Sequence, residues 1–305
     1  MKEKPVMVGL GEVLWDVFPE GARFGGAPAN FACHAASLGA EAAIASAVGA
    51  DADGRAARDF LTQHGVGCQT LQTDATHATG RVHVSLDAAG HASYEIMENV
   101  AWDHLLWSPE WETLAARTDA ACFGTLGQRQ SRSRRAIRHF LQAMRPDSLR
   151  MFDVNLRQHY YSAEILRDSL ELATAVKLNE AELPILAELL ELEGGNETAQ
   201  LARLAETFHL TLAVLTQGAR GAILHSVGTC DSYTPPPISV VDTVGAGDAF
   251  TAAAVTGFLA GHSLAKINRH AAAVAGFVCA SRGATPALPA SLRRLLTPTP
   301  HAITL

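Results

Sequence analysis

Short apolar runs that stop on glycine or a polar residue, with capped helical stretches between them, limit this chain to very few architectures. Val6-Met7-Val8-Gly9-Leu10-Gly11 is too short for a buried helix and reads as a strand covered on both faces. Gly25-Gly26-Ala27-Pro28 then opens a helix, Ala29 to Leu38, which Gly39 stops. Ala43 to Gly49 is the next buried strand, and Asp53 to His64 the next helix. The rhythm returns with a strand at Ala120 to Gly124, a helix from Ser131 to Met144 and a strand from Leu149. Short strands at Ala175 to Asn179 and Leu212 to Thr216 follow, and a last helix runs from about Leu264 to Ser281. Alternation of this kind predicts an α/β fold, a mostly parallel sheet flanked by helices on both faces.

Two segments break the rhythm. Arg81 to Leu86 alternates polar and apolar side chains, turns at Asp87-Ala88-Ala89-Gly90 and returns over His91 to Met97, the pattern of an antiparallel hairpin with one wet face. Val13 to Phe24 reads as a second hairpin, so segments of about 12–25 and 79–98 are expected to build a small β lid. Gly221 to Ser226 with Asp231-Ser232-Tyr233 reads as an antiparallel edge, and Ile238-Ser239-Val240-Val241 as a short strand after Pro235-Pro236-Pro237. With no repeat, long linker or low-complexity block, residues 1–305 are expected to form a single domain.

Composition narrows the partners. A formal net charge of -7 argues against nucleic acid or an anionic membrane surface. No apolar run reaches the roughly 18 residues that a membrane span requires. The opening residues read as a strand rather than a signal peptide. The five cysteines are scattered without C-x-x-C spacing, which points to reduced thiols and a cytoplasmic protein. The thirteen histidines show no paired ligand spacing, and His34, on an apolar helical stretch, reads as a satisfied core histidine. Arg129, Arg132, Arg134, Arg135 and Arg138 read as the solvated face of a helix, and Trp102, Trp107 and Trp111 as packing or lid contacts.

The chemistry is concentrated in Asp242-Thr243-Val244-Gly245-Ala246-Gly247-Asp248-Ala249-Phe250. The glycines stand where a helix starts, and the first N–H groups of a helix lack internal partners and carry the positive end of its dipole. That loop suits phosphate oxygens. A carboxylate beside it, Asp248, is unfavourable unless it takes a proton from a hydroxyl attacking the phosphorus. The loop lacks the Gly-Lys-Ser/Thr of a P-loop, and Phe250 stands where a dinucleotide fingerprint has its third small residue. Asp153 to Arg157, Asn179 to Glu182 and Thr216 to Gly221 likewise follow strand ends, the edge where open α/β sheets bind ligands.

Four ordered motifs resemble the ribokinase-like, PfkB-type carbohydrate kinases over nearly the whole chain. Gly25-Gly26-Ala27-Pro28-Ala29-Asn30 resembles the N-terminal glycine signature and Asp242 to Phe250 the C-terminal one. Asn179-x-x-Glu182 resembles the metal–phosphate motif, and Thr216-x-Gly218-x-x-Gly221 the nucleotide-side turn. The resemblance implies ATP-dependent phosphorylation of a sugar hydroxyl. Asp248 would be the base, with the N–H groups of Gly245, Ala246 and Gly247 as an anion hole. Glu182 and Asn179 would organise Mg²⁺ through water. Asp16, Gly26 and Asn30 would hold sugar hydroxyls, and Arg157 would reach the phosphate or the sugar. Thr216, Gly218 and Gly221 would face the nucleotide. Asp242, with the backbone around Val244 and the Ser281–Thr285 loop, matches the place of a monovalent cation such as K⁺.

Gly11 to Pro19, Glu98 to Asp103 and Phe152 to Arg157 look most like bacterial fructokinases. Ribose, 2-keto-3-deoxygluconate, a nucleoside or a phosphorylated sugar are the alternative acceptors within the class. A sugar- or nucleotide-binding regulator without turnover is the reading from another class, against which the intact Asp248, Gly245, Gly247 and Glu182 stand. Apolar faces on the lid hairpins would let two subunits pair as a homodimer.

Overall fold

The first apolar run forms β1 (Val6–Leu10), and its side chains divide between two cores: Val6, Val8 and Leu10 face one, Met7 the other. A computed structural model describes residues 4–86, 92–192 and 194–293. The further strands are β2 (Leu14–Phe18), β3 (Gly21–Gly25), β4 (Glu41–Gly49), β5 (Val66–Gly67), β6 (Leu71–Asp74), β7 (Gly80–Leu86) and β8 (Ala92–Ile96). After them come β9 (Ala120–Phe123), β10 (Leu149–Asp153), β11 (Ala175–Asn179), β12 (Leu212–Thr216), β13 (Ala222–Ser226) and β14 (Thr229–Tyr233). The helices are α1 (Ala27–Ser37), α2 (Ala52–Gln63), α3 (Pro109–Arg117), α4 (Ser131–Ala143) and α5 (Ala163–Leu172). They continue with α6 (Glu182–Leu189), α7 (Glu197–Thr207), α8 (Ala246–Leu259) and α9 (Leu264–Cys279).

The main sheet has the order β14-β13-β12-β11-β10-β9-β1-β4-β5, with β6 also on β4. From β12 to β6 every pairing is parallel, and β13 and β14 close one edge antiparallel. One face is covered by α3 to α7, through Trp111, Ile137, Phe140, Leu166, Leu186 and Leu204. The other is covered by α1, α2, α8 and α9. Helix α8 is apolar all round because it is enclosed: Ala249, Ala252, Ala253, Ala254 and Val255 are all inaccessible to solvent. Short side chains let the sheet and its helical neighbours close around it.

The second sheet, β3-β2-β7-β8, combines both predicted hairpins, joined by a parallel β2–β7 pairing. It is pinned to α2 by aromatic contact. Phe24 stacks on Phe60 with centroids 4.3 Å apart, and Trp15 meets Phe24 edge-on while its Nε1 donates to Asp53 O at 3.1 Å. The turn expected at residues 87–90 lies outside the described residues.

Two expectations are corrected. Residues 238–241 form no strand: the N–H groups of Val241 and Asp242 both donate to Cys279 O, at 2.8 and 3.1 Å, so this segment is tied to the end of α9 rather than to a sheet. Arg129 is not on a solvated face. Its side chain is 3% exposed, bonded through Nε and Nη2 to Asp103 at 2.7 Å, with its guanidinium over Trp102 at 4.0 Å and Tyr160 at 4.9 Å. His34 is buried and its Nε2 lies 2.9 Å from Ala284 O, as a satisfied core histidine should be. Trp102 and Trp111 are buried packing residues, and all five cysteines are free.

Candidate active site

Parallel strands aim all their C-terminal ends one way, so Gly11-Glu12, Asp153, Asn179 and Thr216 emerge along one edge of the main sheet. Helices α1 and α8 bring their first turns to meet one another there: Asn30 Nδ2 of α1 donates to Asp248 Oδ2 of α8 at 2.8 Å. Gly26, the residue before α1, and Gly245, the residue before α8, both have positive φ, at 105° and 79°. At Gly245 only glycine serves, since a Cβ would also stand 2.7 Å from Ala284 Cα. No described acceptor takes the N–H of Gly245 or Gly247, while that of Ala246 makes a long 3.3 Å bond to Thr243 O. The loop therefore presents donors at a helix start, ready for an anion.

Burial governs the acids at this edge. Asp248 is pushed up to about 6 by desolvation and by Asp153, against the pull of Asn30, Lys177 and Arg157. Asp16, on β2, is raised to about 6 by burial, with Arg157 and Arg23 pulling it down. Glu12 is 2% exposed and raised to about 7 by burial, opposed by its own N–H and that of Ala27 and pushed further by Asp248. Arg157 is exposed, and its charge draws the carboxyls of Glu12, Asp16 and Asp248 down alike. Asn30 Oδ1, buried beside the base, has no hydrogen-bond partner among the described residues. An unpaired acceptor next to a carboxylate suits a ligand with adjacent hydroxyls.

Glu182 and Asn179 are spent largely on the backbone. Glu182 Oε1 accepts Leu156 N–H at 2.9 Å and Oε2 accepts Asn179 N–H at 2.8 Å, while Asn179 Oδ1 takes the N–H groups of Ala181 and Glu182. Burial raises the Glu182 carboxyl, and Lys177 pulls it back. Among the described residues no three acids, histidines or cysteines cluster as a metal cage. Each Glu182 oxygen keeps a second lone pair, so the pair fits a cation held through water and by a ligand's phosphates. Asp242 accepts the N–H of Val244 at 3.0 Å and of Gly283 at 3.3 Å, drawing the 281–285 loop against the anion loop, and lies 3.5 Å from Arg23 of β3. Thr216 ends β12 beside Asn179, and Gly218 and Gly221 bracket a tight turn whose Arg220 is held by Glu180 and Glu197.

Three side chains buried at this edge carry no individual role from sequence, Glu12, Asp153 and Lys177, although Asp153 opens the 153–157 cluster expected there. Lys177 Nζ lies 3.0 Å from Asp153 Oδ1, both side chains buried. A lysine inside the run Ala175-Val176-Lys177-Leu178 was the available signal, since charge in a doubly covered strand requires a buried partner.

The profile of the pfkB family carbohydrate kinases matches residues 16–291. The chain belongs to that family. This pfkB-family protein is 33% identical to a fructokinase of Klebsiella pneumoniae over 267 residues, covering 84% of each chain. It is 27% identical to an aminoimidazole riboside kinase of Salmonella typhimurium over 252 residues, covering 79% of this chain and 77% of that one. Among solved structures, an uncharacterized sugar kinase of Pyrococcus horikoshii in complex with ATP superposes with a TM-score of 0.76 at 27% identity, covering 92% of this chain and 94% of that one. The family's chemistry is phosphoryl transfer to a sugar, and at this edge a carboxylate, Asp248, stands in the first turn of a glycine-led helix. No helix of the described residues is long and apolar enough to cross a membrane.

Proposed function

We propose that the protein is an ATP-dependent fructokinase. The observation that carries the phosphoryl-transfer reading is the Asn30–Asp248 contact, which fixes a carboxylate with a raised pKa at the mouth of the Gly245–Gly247 loop. The likeness to fructokinases at about a third identity supports fructose as the acceptor.

In the reaction, Asp248 takes the proton of the sugar hydroxyl as that oxygen bonds to the γ-phosphorus. The bond from γ-phosphorus to the β–γ bridging oxygen breaks, its electron pair leaving with ADP. The N–H groups of Gly245, Ala246 and Gly247 receive the equatorial oxygens, and Asp16, Asn30 and the backbone at Gly26 hold the sugar under Arg157. Thr216, Gly218 and Gly221 lie on the nucleotide side. Glu182 and Asn179 would hold Mg²⁺ through water, and the ion would supply neutralisation of phosphate charge. Asp242 and the backbone of the loops it joins would hold K⁺. The small sheet is the lid of a single domain in a cytoplasmic enzyme, and Tyr94, 55% exposed on its edge strand, belongs to the surface through which two subunits pair.

The test is ADP release from Mg-ATP with fructose, ribose, glucose, 2-keto-3-deoxygluconate and adenosine, beside Asp248→Ala. Fructose-dependent turnover that the substitution abolishes is the expected result. Turnover on another acceptor removes the fructose assignment, and silence on every acceptor with ATP still bound favours the regulator.

A further inference from the structure

Lys177 and Asp153 are register partners on adjacent strands, so both project to the face that α8 covers. Asp153 Oδ1 takes the Lys177 ammonium, and Thr251 of α8 places its hydroxyl 2.9 Å from Asp153 Oδ2 and 3.0 Å from Gly247 O. The cluster thus reaches the anion loop itself. A Cβ added at Gly247 would stand 3.1 Å from Lys177 Nζ and 3.9 Å from Lys177 Cε, and beyond its chain neighbours and its own helix backbone nothing else comes inside 4 Å. The ammonium therefore lies directly beneath the glycine whose N–H is free. Its one hydrogen bond among the described residues goes to Asp153, which leaves two donors on the nitrogen.

Stability alone does not account for this pair. Burying two ions costs several kcal/mol, and well-packed apolar residues of similar volume serve a core as well or better. The flanking Val176, Leu178, Phe152 and Val154 show that these strands otherwise follow that rule. The exception falls where phosphoryl charge would arrive.

We propose that Lys177 is a working electrostatic part of the phosphoryl-transfer site: a buried cation, locked by Asp153 and Thr251 beneath the Gly245–Gly247 loop, that stabilises the charge reaching that loop in the transition state. The inference rests on the kinase reading above. Lys177 keeps its protons throughout, and its contribution is a fixed charge in a site of low dielectric. The groups facing it are Asp153, Glu182 and Asp248; those facing Asp248 are Asp153, Asn30, Lys177, Arg157 and Glu12. Removing Lys177 alone takes a cation from beside Asp248, so the acid limb of the kcat profile moves to higher pH.

Lys177→Met strands Asp153 without its partner, so the decisive variant is Lys177→Met/Asp153→Asn, which removes both charges and keeps the packing. In the double variant kcat falls about a hundredfold, the scale of losing one anion-hole donor. KM for ATP and for sugar stays within about threefold, because the lost interaction belongs to the transition state. Recovery of kcat to within about threefold of the unaltered protein would mean that Lys177 only neutralises Asp153, and would overturn the proposal. Calorimetry with MgADP and aluminium fluoride, a planar mimic of the phosphoryl group in transfer, gives a second reading that needs no sugar turnover. Binding weakened at least about tenfold in the double variant, with MgADP alone unchanged, supports the role, and equal affinities refute it. Silence of the unaltered protein on every acceptor would sink the kinase reading, while the calorimetric comparison would still decide the place of Lys177.

Discussion

Replacing Glu12 by glutamine should make the protein more stable at alkaline pH than at acid pH, relative to the unaltered chain. The Glu12 side chain is buried at the start of the 12–25 segment, its Oε2 has no partner among the described residues, and its pKa rises from 4.5 to about 7. A carboxyl whose pKa is higher folded than unfolded holds its proton more tightly in the folded state. Its contribution is fully present below about 4.5 and is lost as pH rises through about 7. At 1.36 kcal/mol per pH unit the ionised form costs about 3 kcal/mol of stability at high pH. Glutamine carries no such charge. Its amide N–H₂, placed where Oε2 has no partner, costs about 1–3 kcal/mol, but equally at every pH. Urea unfolding of both proteins from about pH 4 to pH 8.5 separates the two effects, with a stability difference that climbs by about 3 kcal/mol in favour of the variant. A difference that stays flat to within about 1 kcal/mol would refute the burial argument, because the amide cost alone has no pH dependence.

Gly245→Ala forces a side chain into left-handed backbone and against Ala284, so a loss of at least about 1–3 kcal/mol in urea stability and a fall in kcat are expected together; retention of both would show that the 281–285 loop yields. Arg129→Met leaves the fully enclosed Asp103 carboxylate without its bidentate partner and should cost about 3–5 kcal/mol. Adding Asp103→Asn should return much of that loss, and a single variant as stable as the unaltered protein would contradict the buried-pair reading.

Much of the framework was legible because a strand covered on both faces is apolar along nearly all its length, as the runs at Val6, Ala43 and Leu212 are, and as that at Ala175 is but for Lys177. The helix start at Gly245 was legible because the glycines stand directly before an almost unbroken apolar run of helical length. Ile238 to Val241 misled because β-branched residues favour strands only where a partner strand exists, and here Cys279 O takes the donors. Arg129 was hidden among neighbouring arginines, since only the fold brings Asp103, Trp102 and Tyr160 around it. Glu12 and Lys177 stood in plain view as charges in apolar runs, but their consequence lies in distances that no spacing in the chain encodes.

The enclosure of Lys177 and Asp153 also divides the protein's charges by their exposure to dissolved salt. Mobile ions attenuate fields that pass through water, over about 8 Å at physiological ionic strength, and they do not enter a space closed by a sheet and α8. Arg157 and Arg220 meet the solvent, so added salt weakens whatever attraction they exert on an approaching polyanion. Lys177 at 7% side-chain exposure is out of reach of that attenuation. The transition-state role proposed for Lys177 would therefore be insulated from the ionic medium, whereas contacts made by the exposed arginines would vary with it.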